Sequence, residues 1–140
     1  MKRATALCLC LLLCGAAAAA GVGGAARDAA FDAFWEKFKA AVRGGDKAAV
    51  AGLSRFPVGM SYGVRSVRNR ADLLRRYREV FNEQSDAARC FAKKRPEADA
   101  ENPERFTVAC PNEAGDEVVV YVFERTRAGW RFVALDNLNE

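Results

Sequence analysis

The stretch FDAFWEKFKAAV, running from Phe31 to Val42, decides how the rest of the chain is read. Phe31, Phe34, Trp35, Phe38, Ala41 and Val42 recur at three- and four-residue steps, which line one face of an α-helix. Asp32, Glu36, Lys37 and Arg43 fall mostly on the other faces. Four aromatic rings on one face could line a binding groove, but such a stripe is more often the part of a helix that meets the core. Gly44-Gly45 ends the helix, because glycine readily takes the left-handed backbone that a helix terminus needs.

Downstream, Asp46 is placed to cap a short second helix that turns Ala49, Val50 and Leu53 inward. Phe56-Pro57 should stop it, since the residue before proline is pushed toward extended geometry. A strand is expected between Val58 and Val67. Asn69 then caps a third helix, with Asp72 in a capping-box-like position three residues on. Its buried face is Leu73, Leu74, Tyr77, Val80 and Phe81. Asp86 to Lys94 holds a further helical turn or two carrying Cys90 and Phe91.

From Arg105 the period changes from helical to alternating. Phe106 to Cys110, Glu117 to Glu124 and Trp130 to Asp136 read as strands. Pro111 to Gly115 and Thr126 to Gly129 turn between them, which makes two antiparallel hairpins. Helices followed by strands indicate an α+β domain. Val118, Val120 and Val122 lie on one side of the long strand, and Val119, Tyr121 and Phe123 on the other. A sheet that is apolar on both faces needs cover on both. The helices supply one cover. The second is either a self-association surface, with a homodimer slightly favoured, or a chain segment tied down by a disulfide.

Upstream of the helix, residues 1–20 read as a leader for export, with cleavage as late as residue 26. Lys2 and Arg3 are a positive start, Ala4 to Leu13 an apolar core, and Ala16 to Ala20 a run of small residues suited to cleavage. The apolar stretch is too short for a comfortable membrane span. Cys14 follows Leu13 rather than a small residue, which argues against a lipid anchor. Residues 21–30 then form a flexible junction, and the domain proper occupies 31–140, in the periplasm or the surrounding medium. Losing the leader leaves two of five cysteines, Cys90 and Cys110. An even pair in an exported domain implies a disulfide.

Amphipathic helices followed by a curved antiparallel sheet resemble the NTF2-like superfamily, from about Phe31 to the C-terminus. The resemblance rests on the Phe31-to-Val42 stripe, the Gly45-Asp46 junction, the Arg55-Phe56-Pro57 exit, the Leu73-to-Phe81 helix and the final strand from Gly129-Trp130-Arg131-Phe132 to Asp136. Narrowly, it resembles an exported, uncharacterised branch of that superfamily. The resemblance implies a sheet wrapped around the first helix as a cone, whose open end often holds a small apolar ligand or an active site. Such a fold hosts enzymes and non-enzymes alike, so it does not define function.

The chain has no histidine, which excludes Ser-His-Asp and Cys-His catalysis and histidine metal sites. Two cysteines alone make a poor ligand set, so no metal and no cofactor are expected. The net charge of +4 falls to about +2 without Lys2 and Arg3, too little for a polyanion binder. Basic and aromatic residues are not interleaved as nucleic-acid stacking requires. The primary expectation is a non-catalytic binding domain, for a small apolar ligand or a protein partner. Tyr62, Tyr121, Trp130 and Asp136 are the pocket candidates. The alternative is a proton-transfer isomerase or dehydratase using Asp136 with Tyr62, a carboxylate beside a phenol. A third reading is an adaptor that docks anions through Arg65, Arg68 and Arg75, since guanidinium groups suit planar anions. Each has a plainer reading as a solvated charge, core packing or the wet side of a helix.

Overall fold

A computed structural model of the chain describes residues 28–63 and 65–138. The leader and most of the junction read from the sequence lie outside the described residues. The elements are α1 (Ala29–Arg43), α2 (Lys47–Gly52), β1 (Ser54–Met60), β2 (Ser66–Val67), α3 (Arg70–Arg78) continuing into a π-helical turn (Glu79–Glu83), α4 (Ala87–Lys93), β3 (Glu97–Ala98), β4 (Arg105–Pro111), β5 (Val118–Thr126) and β6 (Gly129–Asn137). The fold is α+β, with helices followed by a curved, unclosed sheet of six strands in the order β2-β1-β6-β5-β4-β3.

Each helix starts on a side-chain cap. Asp28 accepts from the backbone N–H groups of Ala30 and Phe31, and an ion pair with Arg125 ties this cap to β5. Asp46, Asn69 and Asp86 cap α2, α3 and α4 in the same way, satisfying N–H groups that have no partner within the helix. The buried residues of α1 are the six of the apolar stripe. Phe38, fully buried, is the hub, with its ring centroid 5.1–6.2 Å from those of Phe34, Phe81, Phe91, Phe123 and Phe132.

Every seam of the sheet is antiparallel except one. β6 lies between β5 and β1, and its pairing with β1 is parallel. The expected strand from Val58 to Val67 is two strands, and β1 begins at Ser54, ahead of Phe56-Pro57. Pro57 does not stop the preceding helix, which already ends at Gly52. It lies inside β1, within the register shift between Ser54 and Gly59, where a missing backbone donor is tolerated.

A bulge in β6 decides which side chains face which way. Val122 pairs with Ala134 and Phe123 with Phe132, leaving Val133 unopposed. One extra residue reverses the in-out parity of everything beyond it. Trp130, Phe132 and Leu135 join the helix-facing core, while Val133 and Ala134 join Val120 and Val122 on the opposite face. The last strand therefore does not keep Trp130, Phe132, Ala134 and Asp136 on one side.

The second face is not covered by the disulfide-tied segment. Cys90 on α4 and Cys110 on β4 are bonded, with Cα atoms 5.9 Å apart, and both Cys110 and Phe91 belong to the helix-side core. Instead Arg55 on β1 and Arg105 on β4 both reach Glu124 on β5, at 3.1 and 2.8 Å. Arg55 spans β6 to do so, laying its aliphatic stem over the outer face. Val122 and Val133 are only 3% and 5% exposed in the single chain.

Candidate functional site

A cleft of about 660 Å³ opens between α1 and the segment joining α4 to β3. Its floor is aromatic. Phe31 and Trp35 come from α1, Phe91 from α4 and Phe106 from β4. Phe31 and Phe106 stack at 3.8 Å, and Trp130 closes edge-on against both, at 5.0 and 5.4 Å. The α1 wall carries Asp32, Glu36 and Lys39, and Lys39 donates to Glu36 at 2.7 Å.

The opposite wall is Lys93, Lys94, Arg95 and Pro96. α4 ends at Lys93, and Lys94 is already extended (φ −94°, ψ 149°), so the chain leaves the helix toward the sheet edge. Pro96 keeps Arg95 from helical geometry as well. Lys93, Lys94 and Arg95 are exposed, and among the described residues no ion pair engages them. A second cleft, of about 250 Å³, lies against the same basic segment. It is lined by both signs of charge, including Asp86, Arg89 and Glu113, and Arg89 is paired with Asp86 at 3.3 Å.

The residues singled out from the sequence are scattered relative to this cleft. Trp130 is buried on the helix side, beneath the Phe31–Phe106 stack. Tyr121 is fully buried. Its hydroxyl donates to the Val80 carbonyl in the π-helical turn at 3.1 Å and accepts from Ser85 Oγ at 2.9 Å. Burial pushes that phenol well above its ordinary range, and it acts as an internal tie. Tyr62 packs against the helix-side core. Asp136 pairs in register with Val120, so it projects from the other face, where it is exposed. Its carboxyl is raised by desolvation, an effect that Arg105 opposes and Glu124 adds to. Tyr62 and Asp136 therefore pack toward opposite faces of the sheet.

The arginine stretch is built around a buried acid. Asp72, 3% exposed, accepts from the backbone N–H of Arg68 at 3.1 Å, from Arg75 at 2.7 Å, and faces Arg68 and Arg76 Nε at 3.5 Å each. The Arg68 backbone N–H, with the Arg68 and Arg75 side chains, holds its carboxyl below the usual range. Arg76 also pairs with Glu79, and Arg78 with Glu83. Arg68 and Arg75 thus share the one carboxylate of Asp72 with Arg76 and stay largely exposed, and Arg65 stands exposed ahead of β2. No group of three acidic or cysteine ligands for a metal occurs among the described residues, and no helix among them is long and apolar enough to cross a membrane.

The cleft was the part sequence reasoning missed. Its signal was the run Lys93-Lys94-Arg95-Pro96, three cations and a helix-stopping proline. Phe106, two elements away, gave no hint that it would complete the floor.

No family model and no curated protein matches this chain. Among solved structures, it resembles an NTF2-like protein with a cystatin-like fold from Novosphingobium aromaticivorans, at 16% identity over 76% of this chain and 77% of that one, with a TM-score of 0.40. LinA is similar at 10% identity over 78% and 82%, with a TM-score of 0.43. A protein named for a calcium/calmodulin dependent protein kinase II association domain, from Xanthomonas campestris, is similar at 11% identity over 76% and 83%, with a TM-score of 0.40.

Proposed function

We propose that this chain is an exported NTF2-like domain that works by binding a small ligand in the cleft between α1 and α4. The observation that carries the reading is the cleft itself. Its volume of about 660 Å³ falls within the usual span of small-molecule sites, about 300–1,000 Å³. Two of the elements that line it, α4 and β4, are pinned together. Cys90 immediately precedes Phe91 of the floor, and its partner Cys110 lies on the strand that supplies Phe106. A site held this way loses little entropy on binding.

The cone interior is a weaker candidate, because the rings packed around Phe38 fill the space beneath the sheet. Export rests on the leader read from residues 1–20 and agrees with the disulfide, a bond that persists mainly outside the cytoplasm. Native mass spectrometry of the protein recovered from an exporting host tests both parts. The expected species is shortened at its N-terminus, oxidised at Cys90–Cys110, and carries or takes up a small molecule seen as added mass. A full-length or reduced chain overturns export. A processed chain that takes up nothing from a broad set of small molecules overturns the binding role.

A further inference from the structure

Resting on the cleft reading above, we infer that the ligand is a small organic anion with a planar apolar body, its charged group held by Lys93, Lys94 and Arg95. The two walls of the cleft differ in charge. On the α1 side Lys39 is spent on Glu36, which leaves Asp32. On the α4–β3 side three cations stand together, and among the described residues no salt bridge crosses the cleft to them. The α4–β3 wall carries three positive charges and the α1 wall a net of one negative, which leaves the cleft as a whole with an excess of two positive charges.

A basic residue in the last turn of a helix complements the helix dipole, and Lys93 has that plain role. Lys94 and Arg95 do not share it, because they lie past the end of α4 in extended chain. They follow the rim of the cleft. Guanidinium and ammonium groups side by side suit a carboxylate or another planar oxyanion. Below them Phe106 is half-buried, with one face covered by Phe31, and its open side is left for the apolar remainder of the ligand. Asp32 on the facing wall makes the field directional and repels an anion placed the wrong way round.

Paired probes of equal shape test this. 2-Naphthoate and 2-naphthamide share a ring system and differ in charge. Titrated into the full protein as recovered from its exporting host, at low salt, naphthoate is expected to bind about tenfold more tightly than naphthamide, and the gap should close as salt is raised. The K93Q/K94Q/R95Q triple variant should lose the naphthoate advantage, binding the two probes with equal affinity. Should the triple variant misfold, the salt titration on the parent protein decides alone. Equal affinity for the two probes, or a gap insensitive to salt, overturns the anionic ligand and leaves the cleft reading standing. Failure of both probes to bind overturns the planar organic anion as the ligand, while the cleft reading falls only if a broad set of small molecules also fails to bind.

Discussion

Reduction of the Cys90–Cys110 bond should leave a folded but markedly weaker domain. The two residues are 20 apart in sequence, so the bond denies the unfolded chain a loop of about twenty residues. Chain-entropy reasoning sets that constraint at about 3 kcal/mol at 25 °C. The native state should lose little by comparison. α4 stays docked on α1 without the bond, because Phe91 packs against Trp35 at 5.0 Å and against Phe38 at 6.2 Å. For a domain of this size each kcal/mol moves the melting midpoint by about 4–8 °C, which puts the expected drop at about 12–24 °C. The assay is thermal and urea unfolding, with and without a dithiol reductant, followed by near-ultraviolet circular dichroism. The aromatic signal at 25 °C should survive reduction, the midpoint should fall, and the urea slope should rise as the freed loop expands the unfolded state. Identical midpoints would refute the loop argument. Loss of the aromatic signal on reduction would refute the claim that ring packing holds α4 in place.

Phe38→Ala should cost about 3–5 kcal/mol in urea unfolding, because five rings converge on that side chain and cannot all collapse into the gap. Tyr121→Phe removes one hydroxyl and strands the Val80 carbonyl and Ser85 hydroxyl away from water, for a loss of about 1–3 kcal/mol by the same measurement. The two perturbed acids have opposite signs. Asp136, raised in the fold, keeps its proton to higher pH than in the unfolded chain, so ionisation opposes folding. Asp136→Asn should therefore raise the urea midpoint at neutral pH and leave it unchanged in acid strong enough to protonate the carboxyl in both states. Asp72, lowered in the fold, stabilises above its unfolded value of 3.8 and loses that contribution as pH falls through its folded value. Asp72→Asn should lower the midpoint at neutral pH, with the difference vanishing in strong acid.

Much of the fold was legible because local chemistry and tertiary structure agree. The stripe on α1 is buried as its spacing implies, Asp46 and Asn69 cap the helices they precede, and both hairpins turn where glycine and proline fall. Cys90 and Cys110 are bonded, as an even cysteine pair beyond the leader suggests. What stayed hidden depends on facts with no local signature. Val133 and Ala134 are both apolar, so alternation cannot say which of them is the extra residue, and the face of Asp136 turns on that choice. The parallel contact of β1 with β6 joins residues about 75 apart, and nothing near either strand announces it. The cleft is hidden for a like reason. Three elements meet to form it, and only the Lys93-Lys94-Arg95-Pro96 run stands out in sequence.

The position of β6 has a consequence for how the chain is made. It is the latest-synthesised of the six strands, yet it is the one joining β2-β1 to β5-β4-β3. Until residues Gly129–Asn137 emerge, β1 and β5 have no common neighbour, and the sheet exists as two unlinked pieces with raw edges. The sheet can thus close only once its last strand has been made.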